Sequence, residues 1–309
     1  MAANQGAKIV LLPELVGGYS YSHYFWESAE NGEEGMTAKL LCELSKLHRI
    51  HVGASFVEAR GEHFYNTFIM CADGKVVGRV CKRDPAALEA LYFKGEAGPR
   101  VIDCPQLGLR LGVGICYDNQ LSHLPDSIAE EEADILLMPH CAMHVEGLPR
   151  RLCTSFAEGV KVLPRRAASM LGIPVIFSNH AGPWGSPILG NPFLHFKADF
   201  MGMSQVVDAG GKVVCSGGDE RRAVFVGDVT VQPKGTAKQC WAALSVERKP
   251  SRYSAFNGLP FIMKRIFEVD EAIFSTLYTL SWSRRQAALA ISKGKPTNDI
   301  FVVWGVLLS

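Results

Sequence analysis

The chain carries no excess of either charge. Lysine and arginine number 32 and aspartate and glutamate 31 over 309 residues, a formal net charge of +1. A protein that grips a polyanion needs a basic face and usually a large positive balance, so this parity gives no footing for nucleic acid. The longest acidic run, Glu130–Glu132, reads as a solvated helix face. There is no run of about 18 uncharged apolar residues, the length a membrane-crossing helix needs. The nearest stretch, Ile273–Leu280, is flanked by Asp270, Glu271, Arg284 and Arg285. The N-terminus lacks a basic region followed by an apolar core, so no secretory signal is expected. The nine cysteines are odd in number and follow no paired spacing. That excludes the regular disulfide framework of a small secreted protein and points to a reducing compartment. Internal repeats and low-complexity segments are also missing. What these absences leave is a cytoplasmic globular protein, with no nucleic acid and no membrane among its expected partners.

About half of the residues are apolar and a fifth are charged, the proportions of an ordinary globular domain with a sizeable core. KIVLLPE, residues 8–14, reads as a buried strand stopped by Pro13, with Glu14 presented just beyond it. Residues 17–35, rich in Gly, Tyr and Ser, read as loop. Met36–His48 places Leu40, Leu41, Leu44 and Leu47 at helical spacing. Strands are predicted over His51–Val57, Tyr65–Cys71 and Lys75–Cys81, the last two joined by the hairpin turn Ala72-Asp73-Gly74. A short helix over Pro85–Tyr92 follows, then strands over Arg100–Asp103, Leu109–Cys116, Asp134–Pro139 and Pro174–Ser178. Helices are expected over Ser127–Ala133 and Ser155–Leu171, the second broken near Pro164. Met203–Val207 and Lys212–Cys215 predict a hairpin, and Ala223–Val231 a closing strand. Strand–helix alternation mixed with hairpins implies a mixed rather than a purely parallel sheet. Composition shifts near Pro233. A domain over 1–232 is therefore expected, with an extension over 233–309 that holds a helix at Phe267–Ser292 and an apolar run at Phe301–Leu308.

Three chemically able residues each end a strand-like run: Glu14, Lys82 and Cys116. Strand ends are where open sheets present reacting groups, because the sheet fixes them while loops shape the pocket. A carboxylate can take a thiol proton, and an ammonium can steady both the thiolate and the oxyanion that follows its attack. Each residue also has a plain reading. Glu14 could cap a turn, Lys82 could be a solvated strand end, and Cys116 a small core residue. Convergence of the three decides between the readings. His140, Cys141 and His144 in PHCAMH suggest a metal, but their spacing matches no standard zinc pattern, so neither metal nor cofactor is expected.

The segments GAKIVLLPELVGGY, GRVCKRD and GVGICYD resemble, in that order, the Glu, Lys and Cys motifs of the nitrilase-like carbon–nitrogen hydrolase superfamily. ADILLMPHCA, GIPVIFSNHAG and MGMSQVVDAGGKVV agree, so the likeness runs from about Gly6 to about Val231, about three quarters of the chain. The resemblance implies a four-layer α-β-β-α sandwich with mixed sheets, and association as a homodimer or larger homo-oligomer. It implies Glu14 as general base, Lys82 as oxyanion-stabilising cation and Cys116 as nucleophile, with the N–H of Tyr117 as a second oxyanion donor. Glu89, in ALEALYFKGE, would be a further pocket glutamate, although Ala90 stands where the family usually has lysine; by surface pattern alone Glu89 is a solvated helix residue. Tyr19, His140, Asn179 and Trp184 fall at pocket positions. Their plain readings are core packing for Tyr19 and Trp184, a satisfied structural histidine and a turn. Tyr117-Asp118 follows the nucleophile where nitrile hydrolysers usually carry Trp-Glu. The implied activity is therefore hydrolysis of a small amide or N-carbamoyl compound.

Two departures from the family pattern keep other readings open. A strand and most of a helix usually precede the segment matched by GAKIVLLPE, and here about six residues do. A family first strand is thus expected to be absent, leaving unpaired backbone that Phe301–Leu308 could cover, unless the chain is a truncated product. The family's Pro-Glu and Arg after the nucleophile are not matched by LSHLPDSIAEEE. The alternatives are a catalytically silent binding or scaffolding subunit, nitrile hydrolysis, and acyl transfer. The helix over Phe267–Ser292 sets Ile273, Leu277, Leu280 and Ala287 near one side and offers a contact to a second subunit, or to its own domain.

Overall fold

The computed structural model describes residues 1–22, 24–188, 191–218, 223–231 and 273–295. In chain order the strands are β1 (Ile9–Leu11), β2 (His51–Arg60), β3 (His63–Ala72), β4 (Lys75–Cys81), β5 (Val101–Cys104), β6 (Leu109–Val113), β7 (Ile135–His140), β8 (Met143–Val145), β9 (Val175–Asn179), β10 (Ala181–Ile188), β11 (Asn191–Met201), β12 (Gln205–Val207) and β13 (Val213–Ser216). The helices are α1 (Tyr24–Glu27), α2 (Met36–His48), α3 (His123–Glu130), α4 (Arg150–Leu171), α5 (273–280) and α6 (Trp282–Ser292).

One sheet has the order β1-β2-β3-β4 and another β13-β12-β9-β7-β6-β5, with a small third sheet β10-β11-β8. Both large sheets are mixed. β1 runs parallel to β2, and β6, β7 and β9 are mutually parallel, while the other pairs are antiparallel. The two-residue period of a strand splits its side chains between two layers. In β3, Phe68 and Met70 meet Leu111 and Val113 of β6 and Ile135 and Leu137 of β7. Ile69 and Cys71 turn the other way, onto Ala38 and Leu41 of α2. In β7, Leu136 and Met138 face Leu124 and Ile128 of α3 and the apolar stripe of α4. The result is helix, sheet, sheet, helix: the four-layer sandwich that the resemblance implied.

The structure revises several element assignments. α4 begins at Arg150 and runs unbroken through Pro164. A proline inside a helix costs roughly 3 kcal/mol, but Val160, Leu163 and Leu171 are all buried and contribute on the order of 2 kcal/mol each. Packing keeps the helix continuous past the missing N–H. The β10–β11 hairpin, not foreseen, pairs Ala181 with Met201 and Trp184 with Ala198. Residues 17–35 are not wholly loop, since α1 lies within them. Residues 223–231, expected as a strand, have no regular secondary structure.

The helical pattern over Phe267–Ser292 is divided at Ser281, and its residues 267–272 lie outside those described. The single apolar face expected there is divided too. Ala287, Ala288 and Ile291 of α6 are buried with Phe25, Trp26, Phe64, Tyr92 and Phe93 of the domain itself. Ile273, Leu277 and Leu280 are exposed. Phe301–Leu308 lies outside the described residues. Among those described, β1 pairs with β2 alone. A largely aliphatic groove of about 550 Å³ follows β1, lined by Ile9, Leu11, Leu109, Ile135, Ile176 and Val206 among others. No described helix is long and apolar enough to cross a membrane.

Candidate active site

The ends of β1, β4, β6 and β7 gather at one end of the sandwich. Glu14 follows β1 by three residues, and its N–H donates to the carbonyl of His140 at the end of β7 (3.3 Å). Lys82 directly follows β4, its N–H bound to the carbonyl of Asn66 on β3 (2.8 Å). Both side chains are fully buried. The Lys82 ammonium donates to Glu14 Oε1 at 2.8 Å and to Glu89 Oε2 at 2.5 Å. Asn66 Nδ2 donates to the same Glu14 oxygen at 2.7 Å. Glu89, in a 3₁₀ turn over Ala87–Leu91, is 1% exposed and so is not a solvated helix residue. Its other oxygen accepts from the Tyr19 hydroxyl at 3.2 Å, and the N–H of Ala86 donates to Oε2 at 2.9 Å.

Cys116 stands at φ +46°, a left-handed backbone that a non-glycine residue seldom adopts. The turn over Cys116–Gln120 folds back tightly beneath it. A Cβ at Gly114 would sit 2.1 Å from Asn119 Oδ1, so glycine is required at that point. Asn119 Nδ2 donates to the carbonyls of Gly114 (2.7 Å) and Cys116 (3.1 Å) and lies 2.9 Å from His140 Nε2. Donor atoms of Glu14, Cys116 and Cys141 all lie within 4.8 Å of one another. Of PHCAMH, only Cys141 belongs to that group.

The electrostatics follow from this packing. The hydrogen bond from Cys141 holds the Cys116 thiol well below its usual range, burial opposes it, and the Lys82 ammonium and His140 add to the lowering. Glu14 is pushed well above the usual carboxylate range by burial and by negative charge on Cys116, with Lys82 opposing. Burial alone would lower Lys82, yet Glu14 and Glu89 hold it well above its ordinary value. The surroundings thus draw the Cys116 thiol down and push the Glu14 carboxyl up, beside an ammonium that two carboxylates keep charged.

The other expected pocket residues divide in two. Tyr19 and Trp184 belong to an aromatic wall with Tyr21, Phe196 and Phe200, and Trp184 Nε1 donates to the Tyr19 carbonyl at 2.8 Å. Tyr117 lies in the turn that begins at Cys116. Both amide atoms of Asn179 hold the backbone of Ala142, at 2.8 and 3.0 Å, so this side chain braces the segment carrying Cys141. His140 is buried with its ring against Phe177.

An arginine that the sequence reading did not place lies upstream. Arg100, 1% exposed, donates to the carbonyls of Cys81 (2.6 Å) and Glu96 (3.2 Å) and pairs with Asp118 at 3.4 Å. Asp118 also accepts the N–H groups of Arg83 and Asp84, tying the turn after Cys116 to the loop after Lys82. Burial pushes its carboxyl up to about 6, against Arg100. Replacing Arg100 with methionine strands that carboxylate, and the expected loss is roughly 3–5 kcal/mol at neutral pH. Without Arg100 the carboxyl is pushed further above about 6 and holds a proton that the wild type has released, so this loss shrinks as pH falls toward about 6 and changes little below it. Urea denaturation at two pH values reads both effects. A loss that does not change with pH would refute the account.

The sequence model of the family described as carbon-nitrogen hydrolase matches residues 1–239. The chain is 26% identical over 270 residues to N-carbamoylputrescine amidase of Solanum lycopersicum, covering 82% of this chain and 84% of that protein. It is 34% identical over 190 residues to citrullinase of Francisella tularensis, covering 58% and 64%. It is 28% identical over 193 residues to a nitrilase of Pyrococcus abyssi, covering 58% and 72%. Among solved structures, a carbon-nitrogen hydrolase of Helicobacter pylori G27 superposes with a TM-score of 0.67 at 20% identity, covering 79% of this chain and 84% of that one. An α-β-β-α fold with a thiol beside a buried ammonium and carboxylate pair is that of a hydrolase of the nitrilase-like class. The chain belongs to the carbon–nitrogen hydrolase family.

Proposed function

We propose that this protein hydrolyses the C–N bond of a small amide or N-carbamoyl compound through a thioester on Cys116. The observation that carries the reading is the buried Glu14–Lys82–Glu89 cluster with the Cys116 sulfur within 4.8 Å of the Glu14 carboxyl. The thiolate attacks the carbonyl carbon, and the ammonium of Lys82 with the N–H of Tyr117 receives the oxyanion. Collapse expels ammonia or an amine, which takes its proton from Glu14. Glu14, now a carboxylate, draws a proton from water as the water attacks the thioester, and the acid leaves with Cys116 restored. Glu89 holds Lys82 from the far side and is itself positioned by Tyr19. The relatives named N-carbamoylputrescine amidase and citrullinase favour the carbamoyl branch, while Tyr117-Asp118 after the nucleophile favours amide or carbamoyl over nitrile hydrolysis.

The test is incubation of the full chain with amides, N-carbamoyl compounds and nitriles, followed by intact mass and product assay. An amide or carbamoyl compound is expected to be turned over, with an adduct that maps to Cys116. Turnover of nitriles alone would overturn the substrate assignment, and no adduct with any compound would favour a silent subunit.

The lowered thiol makes a second expectation. An ordinary cysteine loses thiolate about tenfold for each pH unit below its pKa of roughly 8.5. Iodoacetamide is therefore expected to label Cys116 almost as fast at pH 6 as at pH 8, while the other thiols slow steeply. Labelling of Cys116 that falls in step with them would refute the lowering of this thiol.

A further inference from the structure

The mechanism above leaves one thiol in the cluster without a chemical part. Cys141 follows β7 by one residue, as Cys116 follows β6 by three, and β6 and β7 are parallel neighbours with Val113 opposite Leu137. The two cysteines thus emerge side by side from adjacent strand ends. Neighbouring strands lie about 4.8 Å apart, within the range of Cα separations that a disulfide spans. Both thiols are free, and their sulfurs lie within 4.8 Å of each other. The Cys141 backbone is held on either side, by the Glu14 N–H on the His140 carbonyl and by the Asn179 amide on Ala142. Cys141 is 4% exposed, while Cys116 is partly open.

The pair is also chemically unequal. Burial pushes the Cys141 thiol well up, while the hydrogen bond from Cys141 and the Lys82 ammonium draw Cys116 well down. A thiolate is the form that reacts with an oxidant, and a thiol within reach is the form that resolves the product.

We propose that Cys141 is the resolving partner of Cys116 and that hydrogen peroxide converts the pair into a reversible 116–141 disulfide that switches off hydrolysis. The Cys116 thiolate attacks one peroxide oxygen and the O–O bond breaks, giving a sulfenic acid and hydroxide, which takes the proton held on Glu14. Cys141 then attacks the Cys116 sulfur. An S–S bond forms and the S–O bond breaks, and the departing hydroxyl takes the Cys141 proton and leaves as water. Two thiols lose two electrons in all, and the peroxide is reduced to two waters. An added dithiol reverses the bond by exchange. The disulfide also keeps the nucleophile from further oxidation to the sulfinic acid, which thiols do not repair. This inference rests on Cys116 being the reactive thiolate of the proposed function.

The experiment treats the full chain with hydrogen peroxide, blocks the remaining thiols, and maps the peptides by mass before and after reduction. The wild type is expected to lose two hydrogens in a linked pair of peptides bearing Cys116 and Cys141, and to regain most of its hydrolytic activity with dithiothreitol. Cys141→Ser keeps a hydroxyl that can donate to Cys116 but cannot form the link. In that variant Cys116 is expected to gain two oxygens, and recovery is expected to fall about tenfold. A second close pair, Cys42 and Cys71 at 3.4 Å, serves as an internal control, because burial pushes Cys71 well up. Overoxidation of Cys116 at equal rates in wild type and Cys141→Ser would overturn the inference, as would a disulfide confined to Cys42 and Cys71. Iodoacetamide labelling of untreated protein separates the two failures. A fast-reacting Cys116 that forms no link sinks only the redox pair, whereas an unreactive Cys116 sinks the nucleophile with it.

Discussion

Lys82→Met is expected to cost about 10³-fold in turnover and roughly 3–5 kcal/mol in stability. The two losses have one origin. Lys82 is the cation placed between Glu14 and Glu89, at 2.8 and 2.5 Å, in a cluster closed to water. Methionine fills much the same volume without charge, so the variant leaves two facing carboxyls buried and uncompensated. Glu14 answers by holding its proton more firmly, which places the pH dependence. An acid whose folded pKa is raised stabilises the fold below its unfolded pKa and loses that contribution as pH rises through the folded one. Glu14 is already raised in the wild type, and loss of the ammonium raises it further. Lys82→Met is therefore expected to be most nearly stable in acid, near the ordinary carboxylate range, and to weaken steadily as pH rises above it. Adding Glu14→Gln and Glu89→Gln removes the stranded charges, so the triple variant recovers stability while remaining inactive. Thermal unfolding across pH checks the ordering. If the triple variant is no more stable than Lys82→Met, the cluster is not held by the charge balance described.

The parts of the site legible in the sequence share a feature: each catalytic candidate ends a strand that its own residues declare. β4 is an unbroken β-rich run after a hairpin turn, so Lys82 has an address. Pro13 stops KIVLLPE, so Glu14 has one too. Glu89 has none, because it lies in a one-turn 3₁₀ element whose local pattern is that of a surface, and nothing in that pattern shows that the Lys82 ammonium and the distant Tyr19 hydroxyl will meet it in the interior. Arg100 was hidden for a like reason, since nothing near it indicates that Asp118 will share its burial. Of the elements, the β10–β11 hairpin was lost among Gly182, Pro183, Gly185, Pro187 and Pro192, which normally break strands. β10 is an edge strand, and the pairing shifts register between Pro187 and Ile188; edges and irregular pairings are where a sheet tolerates missing donors. α4 was misjudged in the opposite direction, because Pro164 is a local signal and the packing that overrides it comes from β7, β9 and β12.

Cys116→Ala is expected to lower turnover by roughly 10⁴-fold or more, since no thioester can form and only binding and oxyanion stabilisation remain. Its effect on stability separates two accounts of the site. If Cys116 were an ordinary core residue, alanine would leave a small cavity and cost about 1 kcal/mol. Here the substitution also removes a buried thiolate and, with it, one of the influences that push Glu14 upward, so little or no loss is expected. The backbone adds a finer test. At φ +46° any side chain is strained, and alanine keeps the strain that cysteine bears, whereas glycine releases it. Cys116→Gly is thus expected to be as inactive as Cys116→Ala yet about 1 kcal/mol more stable. Glycine's larger gain in unfolded-state freedom works against this ordering, so observing it would mean that the released strain exceeds the entropic cost. The reverse ordering, measured by urea denaturation, would mean that the turn relaxes on its own and that the nucleophile is not held under tension.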